Sequence, residues 1–180
     1  MIRKNPQGDL PQIHKTVYVD PAAVVIGKVN IGKNVFVAPG AIIRADESKS
    51  LIIIGDNCNI QDRVVIHALS GSKVIIGKNS SLAHGCMVHG PAKIGKNCFI
   101  GFGSIVFKSQ LADGVIVKHL VVVENADIPE KKLIPNGEVM DRQNKVKNLE
   151  CASREIKQFC QQVVETNLKL RKGYLRKRKR

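Results

Sequence analysis

Aliphatic residues recur at every sixth position over most of this chain, and that period constrains its fold more than any other feature. The series runs Val19, Val25, Ile31, Val37, Ile43. It resumes after an insertion at Ile54, Ile60, Ile66, and after a second at Ile76, Leu82, Val88, Ile94, Ile100, Val106. Four residues beyond these aliphatics stand mostly small side chains: Ala23, Ala41, Cys58, Ser80, Cys86, Ala92, Cys98 and Ser104. Glycine often follows the aliphatic, as in Ile31-Gly32-Lys33-Asn34, Ile76-Gly77-Lys78-Asn79 and Ile94-Gly95-Lys96-Asn97. Each unit therefore reads as a short strand and a tight turn. The aliphatic points into a narrow prism, the small residue fills a corner, and Gly or Asn accepts the turn backbone. No unit buries its face alone, so stacked coils must supply the core. A β-sandwich would space its strands irregularly, about 8–12 residues apart. Strict sixes instead predict a mainly β chain, a left-handed parallel β-helix with three units per coil.

The rest of the chain divides around that solenoid. Residues 1–125 are expected to form the β-helix with an N-terminal lead-in. Residues 126–148 contain Pro129, Pro135 and Gly137 and read as a connecting loop. Residues 149–172 read as a C-terminal α-helix, because Leu149, Ala152, Ile156, Phe159, Cys160 and Val163 form a helical stripe. Residues 173–180 form a basic tail. Tryptophan is absent and aromatics are few, as a core of stacked aliphatics requires.

No apolar stretch approaches the ~20 residues that a membrane-crossing helix needs. Met1-Ile2-Arg3-Lys4-Asn5-Pro6 lacks the hydrophobic segment of a signal peptide. The five cysteines include no CxxC pair, and Cys58, Cys86 and Cys98 fall at corner positions. They read as reduced core residues of a cytoplasmic protein. Of the net charge of +14, eight basic residues lie between Lys169 and Arg180 with no acidic one among them. Such a run attracts anions, but without interleaved aromatics or a base-reading motif it indicates no specific nucleic acid partner.

Three histidines carry the functional signal. His67 and His89 each follow a repeat aliphatic by one and lie one full coil apart. They should stack on one face, ~4.8 Å apart. His84 follows Leu82 by two and leaves the prism near a different edge. One chain cannot bring all three to a single ion. A threefold homotrimer of parallel prisms can, with His67 and His89 from one subunit meeting His84 of the next. A lone histidine is more often a plain surface residue; three with this stacking point to a metal. Three imidazoles leave the fourth zinc position open, as in catalytic rather than structural sites. Zn2+ is expected, and Fe2+ or Co2+ also suit such donors. Arg44 should lie one coil below His67, and Asp62 one coil below His84. The Gln61 amide could orient a metal-bound hydroxide. Arg44, Asp46 and Asp62 could form ion pairs between subunits, as plausibly structural as catalytic. His14 and His119 have no such partners.

These residues also resemble a known family. The runs Asn59-Ile60-Gln61-Asp62-Arg63-Val64-Val65-Ile66-His67-Ala68-Leu69 and Ser81-Leu82-Ala83-His84-Gly85-Cys86-Met87-Val88-His89-Gly90-Pro91 resemble the γ-class carbonic anhydrases. So do Arg44-Ala45-Asp46-Glu47, Ile100-Gly101-Phe102-Gly103-Ser104 and Ile134-Pro135-Asn136-Gly137. The resemblance implies a homotrimer that reversibly hydrates CO2 to bicarbonate, with His67, His84 and His89 as zinc ligands. It places Gln61 beside the hydroxide, Arg44 near bicarbonate, and Arg44, Asp46 and Asp62 among interfacial charges. It further implies an active-site role for Asn59, a proton-transfer role for Glu47, and a place near the product for Asn167.

One departure concerns the loop. The best-known catalytic members carry an acidic loop with a proton-shuttling glutamate after His-Ala-Leu. Here His67-Ala68-Leu69 runs into Ser70-Gly71-Ser72-Lys73 and returns to the repeat. A similar short loop occurs in carboxysome scaffold proteins. Three functions therefore stand: a zinc carbonic anhydrase, a weakly active or inactive trimer serving binding or assembly, and a hexapeptide acyltransferase. The stacked histidine pair argues against the last, since a single base needs no such partner.

Overall fold

Every sixth residue turns inward because the chain folds into three parallel sheets wound around one axis. The computed structural model describes residues 1–177. Among these residues the chain forms sheets of eight, seven and seven strands, and successive strands go to successive sheets. The result is a parallel β-solenoid of about seven coils, the left-handed β-helix architecture, with a C-terminal helix.

Register follows the repeat. On the first face Val25 pairs with Ile43, Ile43 with Ile66, Ile66 with Val88 and Val88 with Val106. The second face stacks Ile54, Ile76 and Ile94, and the third Val37, Ile60, Leu82 and Ile100. All these side chains are buried. Each such burial contributes about 1.5–3 kcal/mol, so the stack is the main source of stability.

The corners also follow from residue type. Asn34, Asn57, Asn79 and Asn97 all take the left-handed backbone conformation, with φ between 54° and 59°. Their side-chain amides form a ladder with N···O distances of 3.1, 3.0 and 3.2 Å. Gly77 is required by close approach: a Cβ there would lie 2.5 Å from the Gly95 carbonyl carbon of the next coil. Cys58, Cys86 and Cys98 are buried free thiols. Burial pushes the Cys58 and Cys98 thiols up to about 12 and raises that of Cys86 still further.

Two boundaries differ from expectation. Residues 126–148 are not simply a loop, because the strands Asp127–Ile128, Leu133–Ile134 and Val139–Met140 extend the three sheets. Ile128, Ile134 and Met140 continue the inward series. The coils there are seventeen residues long, as from Val106 to Val123, and this one-residue slip breaks strict sixes. A short helix, α1 (Gln143–Val146), then covers that end of the core.

The long helix, α2, spans Arg154–Lys177 rather than 149–172. It starts late because Glu150 accepts the Leu133 N–H and Cys151 bridges Lys132, which holds this segment extended. The Ser153 hydroxyl then accepts the Ile156 N–H at the helix start. It runs on through Gly173 to a basic last turn, Arg176 and Lys177, which suits the negative end of the helix dipole. Part of the expected basic tail is thus helix, and residues 178–180 lie outside the described residues. Ile156, Cys160 and Val163 of the apolar stripe pack on the third sheet, whereas Phe159 is largely exposed.

Candidate metal centre

The site is built from two clusters on different faces of the prism. The first is a column on the first sheet, where Arg44, His67, His89 and Phe107 occupy one register position in successive coils. His67 Nδ1 lies 3.0 Å from His89 Nε2, and the ring centroids are 4.9 Å apart. Phe107 meets the His89 ring edge-on at 5.3 Å from the next coil. Phe107 was not among the expected site residues, although its place one coil past His89 was legible from the repeat.

Around His67 Nε2 stand Arg44 Nη2 at 3.3 Å, Asp46 Oδ1 at 3.4 Å and Glu47 Oε1 at 3.4 Å. That nitrogen faces one donor and two acceptors, and no single tautomer serves all three. Arg44 Nε also pairs with Asp46 Oδ2 at 3.3 Å. Desolvation, then the Arg44 charge, then His89 lower the His67 pKa, which Glu47 and Asp46 only partly oppose. Its imidazole is therefore neutral at neutral pH, the form that ligates metals.

Glu47 is fixed by the two insertions. Both enter at the corner that follows the His67 column. The Ser70 N–H donates to Glu47 Oε2 at 2.7 Å, and the Ser70 hydroxyl and the Gly71 N–H bond the Ser48 carbonyl. The short loop thus clamps the glutamate beside His67. Sequence reasoning missed Ser70, because a backbone donor leaves no mark in residue type.

The second cluster lies on the third face. His84 Nδ1 bonds Asp62 Oδ2 at 2.7 Å. In the neutral imidazole that leaves the lone pair on Nε2. Phe102 lies beside His84, with centroids 5.4 Å apart, and stacks on His119 at 4.4 Å. His119 Nδ1 accepts the Phe102 N–H, so His119 supports the neighbouring aromatic. Gln61, Asp62 and His84 line a groove of about 550 Å³ with Asn167 and Tyr174 of α2. Asn167 is buried and donates to the Val163 carbonyl within its own helix. Asn59 is 1% exposed and lies on the same sheet, one strand below Ser81.

The expected residues are thus gathered as Arg44, Asp46, Glu47, His67 and His89 in one cluster, and Gln61, Asp62, His84 and Asn167 in the other. Among the described residues no three His, Cys, Asp or Glu side chains of one chain converge to hold a metal ion. Among the described residues, several buried polar atoms in or beside the two clusters find no partner: His89 Nδ1, Gln61 Oε1 and both amide atoms of Asn59. Buried polar atoms normally find partners. Paired imidazoles and a carboxylate-oriented third one form a donor set that suits a divalent cation.

Residues 73–108 match the family described as Bacterial transferase hexapeptide (six repeats). The chain is 37% identical to a carbonic anhydrase of Methanosarcina thermophila over 94% of this chain and 77% of that protein. It is 38% identical to a carboxysome assembly protein, CcmM, of Nostoc sp. over 91% of this chain. That match spans about a third (31%) of the length of the Nostoc protein. A solved hexapeptide transferase family protein from Anaplasma phagocytophilum superposes with a TM-score of 0.83 at 25% identity, covering 97% of this chain and 98% of that one.

Proposed function

Since the chain belongs to the γ-class carbonic anhydrase family of hexapeptide-repeat proteins, we propose that it is a metal-dependent carbonic anhydrase working as a homotrimer. The observation that carries this reading is the split of the histidines. His67 and His89 share one face, and His84 sits on another with its Nδ1 already held by Asp62. Two half-sites on separate faces of a prism complement each other between neighbouring subunits in a closed ring.

In this reading His67 and His89 of one subunit and His84 of the next hold the ion, with Zn2+ the expected metal and Fe2+ or Co2+ also accommodated. When bound, such a metal supplies the Lewis acidity that makes water a nucleophile near neutral pH. Asp62 fixes the His84 tautomer and ring orientation. The Gln61 amide, with an unpartnered Oε1, positions the attacking oxygen by hydrogen bonding. Arg44, held by Asp46, offers a guanidinium to the bicarbonate product. Phe107 excludes water from one side of the His89 ring. Glu47, clamped by Ser70, accepts the proton that must leave the site. Asp46 and Asp62 take part in charge pairing between subunits. Asn59, buried on the same sheet as His84, is a further active-site polar residue, and Asn167, which lines one groove with Gln61, serves the product side. Buried reduced thiols support a cytoplasmic setting.

Metal analysis of anaerobically purified protein, paired with stopped-flow CO2 hydration, tests the proposal. About one metal per chain and metal-dependent hydration are expected. Metal without hydration would leave the second reading, a trimer serving assembly. The stacked His67–His89 pair and the likeness to the carboxysome protein favour that alternative over an acyltransferase.

A further inference from the structure

One corner of the solenoid carries a column of side chains that includes a proposed ligand. Asp62, His84, Phe102, His119 and Asn136 each stand two residues beyond an inward aliphatic of the third sheet: Ile60, Leu82, Ile100, Val117 and Ile134. They therefore hold one position in five successive coils. The main chain fixes their spacing. The carbonyls of Asp62, His84, Phe102 and His119 accept the N–H groups of Gly85, Gly103, Leu120 and Gly137 at 2.9, 3.1, 2.9 and 3.0 Å.

In the upper coils each side chain also grips the backbone beneath it. Asn136 Oδ1 accepts the His119 N–H at 3.0 Å, and His119 Nδ1 accepts the Phe102 N–H at 3.0 Å. Desolvation, then the Lys118 charge, lower the His119 pKa, which keeps on Nδ1 the lone pair that this bond needs. The rings continue the contact downward. His119 lies over Phe102 with centroids 4.4 Å apart and planes 16° from parallel, and Phe102 meets His84 at 5.4 Å. Glycine permits the approach: a Cβ at Gly101 would run into the Lys118 carbonyl oxygen and lie 2.9 Å from the His119 nitrogen.

His84 needs such support. Its Nδ1 is held by Asp62 from the coil below, and half of its side chain (50%) is open to solvent. One hydrogen bond fixes a ring nitrogen but leaves the ring plane free to swing about it. Phe102 limits that swing from the coil above. Phe102 is itself 46% exposed, and His119 steadies it twice, as backbone acceptor and as stacking partner. We infer that His119, held by Asn136, is a positioning residue that sets the orientation of the His84 imidazole through Phe102. This deepens the metal-centre reading, and its consequence for metal binding rests on that reading. Groups that orient a ligand tune affinity without touching the ion.

The first arm of the test is free of metal. The full chain is labelled with 13C at the histidine Cε1 positions, and His84→Ala identifies the His84 signal by its loss. In His119→Ala that signal should move towards the position it takes in Phe102→Ala. Asn136→Ala should move it the same way, and Asn136→Asp, which keeps the acceptor, should leave it in place. The second arm uses Co2+-loaded protein. His119→Ala should alter the visible absorption bands and weaken chelator-competed affinity roughly tenfold, the lower end for a group that supports a ligand. Unfolding midpoints establish that the variants are folded, and a loss of stability alone would not shift the His84 signal of folded protein. Should His119→Ala fail to fold, His119→Phe keeps a stacking ring, removes the acceptor and carries the same expectation. An unmoved His84 signal would overturn the inference. So would unchanged cobalt bands and affinity where His84→Ala has lost its metal. Metal retained by His84→Ala would sink the ligand assignment instead, and the metal-free arm would then decide the positioning role by itself.

Discussion

His84 and Asp62 form a 2.7 Å contact between adjacent coils, and the carboxylate fixes which imidazole nitrogen keeps its lone pair. Replacing Asp62 by Ala frees the ring without touching a ligand. Metal affinity, measured by chelator competition, should fall ~10–100-fold. Unchanged affinity would mean that His84 is not a ligand.

The proposed division of the ligands between faces predicts complementation. His84→Ala and His67→Ala chains should each lose stoichiometric metal yet still form trimers. Co-expressed, they should regain about one intact site per mixed trimer. Size-exclusion chromatography with metal analysis of the tagged mixture reads this out. Full metal in the His84→Ala homotrimer would count against ligation across subunits.

Thiol reactivity should sort by burial. The exposed Cys151 should react at once with an aromatic disulfide reagent. Cys160, pushed up to about 11 by desolvation, should react more slowly. Cys58, Cys86 and Cys98, which burial holds protonated, should react only on unfolding. All five thiols titrating rapidly in the native protein would contradict the corner packing.

Two glycines should respond oppositely to alanine. Gly27 has φ +82°, and a Cβ there would run into the Ala45 carbonyl oxygen. Gly27→Ala should destabilise by ~1–3 kcal/mol. Gly173 lies inside α2 with open space around its Cβ position. Gly173→Ala should stabilise by ~0.5–1 kcal/mol. Urea midpoints at constant slope measure both.

The inward columns and the stacking of Arg44, His67 and His89 were legible in the sequence because the coil converts residue number directly into height and face. Ile128, Ile134 and Met140 carried the same signal, but a one-residue slip hid them from a strict count of six. The late start of α2 was not legible, since the backbone pairing of Glu150 and Cys151 overrides the apolar stripe around them. The hold of Ser70 on Glu47 was not legible either, because it uses a main-chain donor.

Both insertions emerge at one corner, and beyond them the strands resume in unbroken pairing. Loop length at that vertex is therefore a free parameter. Descendants of a common ancestor can lengthen, shorten or recharge it while every imidazole keeps its address. A scaffold of this kind lets natural selection retune what that vertex does without renegotiating the architecture that carries the three imidazoles.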